Sequence, residues 1–243
     1  MITLRTMFPP ASARSDDPRS RAARTKRNRT RRALLQAAGV MFSSQGWLDA
    51  RMEDIAAQAG VSPATAYNHF PTKQALVGHV YAPLVLPQLE QAQHDIAAGR
   101  AMTEALKDQL SALAQIVFAN RRLSAALWAA AQDYTIRVAG PAAPDETLDP
   151  LVQAPLAEPI RVLVEHGQRT GELRPYPTAL EVSRLVVDLV LLRCVDIGQS
   201  SAASTAELLL TVTMGVLRPE LLTDSGLAGR PFESTQSAVG FPI

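Results

Sequence analysis

Thr65, Tyr67, Asn68 and His69 fall within five consecutive positions of the chain. A hydroxyl, a phenol, a carboxamide and an imidazole on one short segment suit phosphate oxygens and base edges. Asn68 can read an adenine edge or a phosphate, and Thr65 can offer its hydroxyl or its methyl. Pro63 and Ala64 allow the close apolar approach that a thymine methyl favours. Tyr67 and Lys73 are suitable donors to a phosphate backbone, Arg51 would point at a flanking strand, and Ser62 opens the segment. His69 has two readings: a donor to phosphate, or a half-buried residue packing one helix on another. Enzymatic chemistry lacks comparable support. His69, His79, His94 and His166 show no metal-ligand spacing with a cysteine or with one another. No phosphate-binding glycine loop or nucleophile elbow is present. No catalytic residue, metal or cofactor is expected.

These side chains need a rigid support, and the run from Glu53 to Lys73, EDIAAQAGVSPATAYNHFPTK, supplies one. Ile55, Ala56 and Ala59 recur at helical spacing and form one apolar face. Gly60 follows where a helix ends on a residue tolerant of positive φ. Val61 bridges to Ser62 and Pro63, an N-cap and a first-turn proline. The helix they open is about two turns long and cannot stand alone in water, so it must dock on the helix before it. The result is the short displayed rod of a helix-turn-helix element. A supporting helix is predicted over Thr30 to Gln45, ending at Gly46, with Leu34, Ala37, Ala38, Met41 and Phe42 on one face. The second helix starts near Met52, with Glu53 and Asp54 at its positive end. Thr72 caps a fourth helix beginning at Lys73.

Residues from about Arg29 to Tyr81 resemble the N-terminal domain of the tetracycline repressor family of bacterial regulators. Ile55-Ala56, Ala59-Gly60-Val61-Ser62, Thr65, Tyr67, Phe70 and Lys73 match that family's pattern in register. Three positions depart from it. Ala64 stands where glycine is common, Ala66 where a larger aliphatic is usual, and Arg51 near a place often held by threonine. The resemblance implies an all-α fold, with an N-terminal three-helix DNA-binding domain and a C-terminal helical body for ligand binding and dimerisation. It implies backbone contacts at Tyr67 and Lys73, a homodimer on double-stranded operator DNA, and a small-molecule effector. It places the effector inside the body between Leu84 and Thr170. Candidate liners there are Phe118, Trp128 and Tyr134, with His94, Arg121, Arg137 or His166 as polar anchors. Each of these is equally readable as ordinary core or surface.

Composition agrees with a helical chain. Of 243 residues 47% are apolar and 19% charged, enough for a sizeable core. Alanine and leucine dominate and no strict alternation occurs, which favours helix. The single cysteine, Cys194, cannot form an internal disulfide, consistent with a cytoplasmic location, and its apolar surroundings predict a buried, inert thiol. Charge is lopsided: residues 1–32 hold ten basic residues against two acids, +8 of a total of +1, leaving −7 on the remainder. Residues 1–28 read as a disordered basic arm. Arg24, Lys26, Arg27, Arg29 and Arg31 are candidates to meet phosphate, the plain alternative being a solvated leader. Thr30 to Leu35 superficially resembles a twin-arginine export signal. The apolar run after it is interrupted by Gln36, lacks a cleavage site and carries helical periodicity, so a supporting helix is the better reading. No run is long and uncharged enough to span a membrane.

The body is predicted over 82–222 and a loose tail over 223–243. Pro83 and Pro87 fall in the fourth helix, which either ends near Tyr81 and resumes, or continues with a kink. Leu106, Leu110, Leu113 and Val117 give Met102 to Asn120 a clear apolar face. Arg121 to Val138 follows, broken by Gly140 to Pro144. Asp149 to Thr170 carries a further helix, regular only in its later half because of Pro155 and Pro159. Glu158 and Glu165 read as solvated. Ala179 to Ile197 and Ala206 to Leu217 are apolar nearly all round and need cover on several sides. A second copy supplies it through a two-fold four-helix interface, with Leu185, Leu189, Leu192, Leu209 and Val212 as its candidates. The combined expectation is a homodimeric, ligand-responsive DNA-binding regulator, acting as a repressor released by a small, largely apolar ligand. Two rivals remain: a DNA-binding regulator without small-molecule input, and an exported helical binding protein.

Overall fold

The computed structural model describes residues 18–138, 148–195 and 200–218, which form ten helices and no strand. They are α1 (Pro18–Asp49), α2 (Met52–Gln58), α3 (Pro63–His69), α4 (Lys73–Ala97) and α5 (Met102–Ala119). After them come α6 (Arg121–Val138), α7 (Pro150–Gln153), α8 (Glu158–Thr170), α9 (Ala179–Val195) and α10 (Ala202–Leu217). The tail over 223–243, the break at Gly140 to Pro144, Ile197 and the first 17 residues of the expected arm lie outside the described residues.

The first correction concerns α1. Residues 18–28 are helical, continuous with the supporting helix expected to begin at Thr30. Arginine and alanine are good helix formers, Pro18 is acceptable in a first turn, and no glycine intervenes before Gly39. The helix breaks at Gly46, whose φ of +81° only glycine adopts cheaply, and one further turn runs to Asp49. Leu34, Ala37, Ala38, Met41 and Phe42 are all buried, as their spacing predicts.

The fourth helix runs unbroken from Lys73 to Ala97 with Pro83 and Pro87 inside it. The prolines are one turn apart and both exposed, so the carbonyls of His79 and Pro83 that lose a donor face the wet side. This helix belongs to both halves of the molecule: it packs on α1 on one side and on α5, α6, α7 and α8 on the other. One apolar core runs without interruption from Leu34 to Leu217. Tyr81 is buried at the centre of this junction, its hydroxyl 2.8 Å from Ser124 Oγ, which in turn donates to the Val117 carbonyl at 3.0 Å. Desolvation pushes that phenol up to about 12. The predicted face of α5 is buried throughout, and α10 lies along α5. The segment from Asp149 to Thr170 is regular in its later half, as expected: Pro155 falls between the single turn of α7 and α8, and Pro159 lies in the first turn of α8. A capping box between Ser201 and Ser204 starts α10 four residues before the expected Ala206.

Candidate nucleic-acid interface

The turn between α2 and α3 is built by backbone hydrogen bonds that the sequence dictates. Gly60, at φ +70°, closes α2 while its N–H donates to the Ala57 carbonyl at 3.0 Å. The Val61 N–H donates to the Ala56 carbonyl at 2.9 Å, completing a Schellman motif. Ser62 then caps α3, its Oγ accepting from the Thr65 N–H at 3.2 Å, with Pro63 in the first turn. Ala66 and the following Phe70 are buried against the neighbouring helices. A larger side chain at Ala66 would fill space that the close approach of α3 has already closed.

What α3 leaves outside is Ser62, Pro63, Ala64, Tyr67 and Asn68, all exposed, with Thr65 and His69 half-buried. Tyr67 is aimed by Glu53 of α2, whose Oε1 accepts from the phenol at 3.3 Å. Burial first, and Glu53 second, hold that phenol above its ordinary range, so it stays protonated and able to donate. Thr65 shares its hydroxyl with Ser62 Oγ at 2.9 Å. Arg51 is exposed at the N-cap of α2 and makes no side-chain cap, as expected of a residue standing near a usual threonine. The exposed groups of α3 are polar at Ser62, Tyr67 and Asn68 and small and apolar at Pro63 and Ala64.

His69 takes the half-buried reading. Burial lowers its pKa first, and the nearby guanidinium groups of Arg27 and Arg31 lower it further. Arg31 lies with its guanidinium 4.4 Å from the Phe70 ring centroid, and Phe70 meets His79 edge-on at 5.5 Å. The basic face of α1 therefore adjoins the C-terminal end of α3.

Lys73 differs from the expected phosphate donor. Its ammonium donates to the Trp47 carbonyl at 2.6 Å and the Ala50 carbonyl at 3.1 Å, and lies 4.0 Å from the Trp47 ring centroid. It ties α4 to the broken end of α1 and the entry of α2, so its first role is to position α2 and α3. Replacing Lys73 by Met keeps the stem on Trp47 and removes the donors. Urea unfolding should then show a loss of about 1–2 kcal/mol; an unchanged midpoint would mean that water serves those carbonyls equally well.

The ligand residues expected in the body do not converge. His94 is exposed, and Arg121 donates from Nε to the Cys194 carbonyl at 2.6 Å while lying over Phe118. Trp128 is partly buried against the core and Tyr134 is buried. Arg137 pairs with Asp133 on the surface, and His166 lies 3.3 Å from Arg169. The interior between α4, α5 and α8 keeps a cavity of only about 10 Å³, room for one water at most and none for an effector. A groove of about 490 Å³ opens instead where α6, α7, α8 and α9 meet. Leu151, Val152, Pro155, Leu180 and Val187 supply apolar wall, with Arg184 and Asp188 on α9. Burial raises the Asp188 carboxyl while Arg184 opposes the shift. Glu158 and Glu165, read as solvated, both grip Arg161 at 2.6 Å. No local sequence signal marked this groove: Arg184 and Asp188 belong to a polar stripe of α9 that also carries Glu181.

Of the predicted dimer residues, Leu185 and Leu192 are 52% and 55% exposed on α9. Leu189 and Val212 are partly buried. Leu209 is wholly buried within its own subunit, because α10 turns that side onto α5. Cys194 is buried, with burial as the main cause of its raised thiol pKa, as its apolar run predicts. No described helix is long and apolar enough to cross a membrane, and no group of three metal-ligating side chains occurs among the described residues.

Residues 34–80 match the sequence model of bacterial regulatory proteins, tetR family. The whole fold is similar to that of solved regulators. Thermus thermophilus FadR, a TetR-family transcriptional repressor in complex with lauroyl-CoA, aligns with a TM-score of 0.59 at 21% identity, over 76% of this chain and 93% of that one. NalD of Pseudomonas aeruginosa, the secondary repressor of the MexAB-OprM multidrug efflux pump, aligns at 0.54 and 21%, over 80% and 99%. The fatty acid degradation regulator FadR of Bacillus halodurans aligns at 0.55 and 13%, over 82% and 97%. A search of curated proteins by sequence gave no match.

Proposed function

We propose that this chain, with its TetR-family helix-turn-helix domain on a TetR-type helical body, is a cytoplasmic, homodimeric repressor that a small, largely apolar molecule releases from its operator. The observation that carries this reading is the outward face of α3. The Gly60 turn and the Ser62 cap fix the helix, and Pro63, Ala64, Tyr67 and Asn68 are left for DNA. Tyr67 and Arg51 would hold the backbone while Asn68 and the Pro63–Ala64 step meet base edges. One helix of two turns reads few base pairs, so specificity requires two, about 34–36 Å apart. The exposed leucines of α9 are the surface that supports such a pairing.

The effector site best supported is the groove between α6, α7, α8 and α9. It has the volume for a small molecule and a mostly apolar wall, and its charged groups, Arg161 and Arg184 with Asp149, Glu158 and Asp188, give polar anchors of both signs. Duplexes selected by the full-length protein from a randomised pool test the DNA reading. Tyr67→Ala with Asn68→Ala should weaken the selected duplex tenfold or more, since each lost contact costs about 1–3 kcal/mol, while helicity and mass stay unchanged. Equal retardation of variant and parent in a gel shift would remove α3 as the reading element.

A further inference from the structure

From Ser20 to Arg29 every residue of α1 is exposed. This is about 15 Å of helix standing clear of the domain it leads into. Between Pro18 and Arg32 the sequence carries eight basic residues and no acid. Lys26, Arg27, Arg29 and Arg32 make no ion pair or side-chain hydrogen bond. Like charges one turn apart, such as Lys26 with Arg29 and Arg27 with Arg31, destabilise a helix in water, and a polyanion laid alongside removes that repulsion. Ala22 and Ala23 are the only aliphatic side chains between Arg19 and Arg32, so the rod has no apolar face with which to enter a lipid interface.

Its direction is set by contacts already described. Arg24, Arg27 and Arg31 share one stripe, and Arg31 of that stripe lies on Phe70, immediately after α3. The charged stripe is thus continuous with the end of the reading helix.

We propose that the α1 extension is a second DNA-binding element, a preformed basic helix that lies against the phosphates flanking the base pairs read by α3. This rests on the DNA-binding reading above and adds to it a longer, sequence-independent footprint. Fifteen ångströms of rod spans about four base pairs at 3.4 Å each.

The test uses the full chain and two duplexes: the minimal selected core, and the same core with about six arbitrary base pairs added at each end. The parent should bind the longer duplex about tenfold more tightly. Lys26→Gln, Arg27→Gln and Arg29→Gln together keep good helix formers at exposed positions. This triple variant should bind the core duplex but gain nothing from the flanks. With three charges removed from each of two subunits, its plot of log affinity against log salt on the longer duplex should be shallower by about 5. A flank gain and salt slope equal to the parent's would overturn the inference, as would a parent that binds the core with no flank gain. A parent that binds no selected duplex at all would overturn the reading of α3 and this inference with it.

Discussion

The double substitution Leu185→Glu with Leu192→Glu is expected to leave a folded monomer that has lost its hold on a two-half-site operator. Both side chains point away from their own subunit, 52% and 55% exposed, so within the monomer they fall in the class of surface changes worth about ±0.5 kcal/mol. Across a two-fold axis the outcome differs, because each glutamate would be desolvated facing its symmetry mates without a partner. Joining two reading heads raises affinity by about 10²–10⁴ without any new contact, and that factor is what the variant should lose. Sedimentation gives the mass and a gel shift gives the affinity. A dimer of unchanged mass would show that the α9 face is not the interface. A monomer that still binds with full affinity would show that one domain suffices.

The helix-turn-helix element was legible because its construction is local. The positive φ of Gly60, the Ser62 cap and the Pro63 first turn are set by residues within a few positions of one another. The buried face of α1 and that of α5 follow directly from spacing. Local chemistry also misled once and left one choice open. A run of arginines reads as disorder by charge, yet arginine is a good helix former, and α1 starts at Pro18. Two prolines allowed either a break or a continuous helix; both lie on the wet side of α4 and the helix passes through them.

What could not be read depends on partners distant in sequence. The Lys73 ammonium is held by a carbonyl 26 residues earlier, and the Arg121 guanidinium by one 73 residues later. A lysine in the right register therefore looked like a phosphate donor, and an arginine beside Phe118 looked like a ligand anchor. Leu209 and Leu185 belong to equally apolar helices, and only the packing of α10 on α5 separates core from surface. The groove is formed by four helices whose lining residues run from Thr135 to Asp188, so no local pattern points to it.

Gly78→Val should be among the most damaging single changes in the chain. A Cβ at Gly78 would lie 2.6 Å from the Pro150 carbonyl oxygen and 2.7 Å from Gln153 Cβ. The clash is partly with backbone, so no rotamer relieves it, and the cost belongs at the upper end of the about 1–3 kcal/mol typical of overpacking. For a chain of this size that is a fall in Tm of roughly 6–12 °C. Gly39→Ala is the matched control: its Cβ meets only Val80 Cγ1 at an ordinary 3.5 Å, and replacing a mid-helix glycine by alanine is neutral or stabilising. The contact matters beyond stability because of where α7 lies. Leu151 and Val152 face the groove, while Pro150 and Gln153 seat on α4 at Gly78. Four residues before Gly78, Gln74 Nε2 donates to Asp133 Oδ2 of α6 at 2.5 Å, and Lys73 next to it holds the entry to α2. A ligand that moves α7 would therefore press on the helix whose first turn positions α3. A melting curve for Gly78→Val within a degree or so of the parent's would show that α7 is not held against α4, and this route from groove to DNA would fall with it.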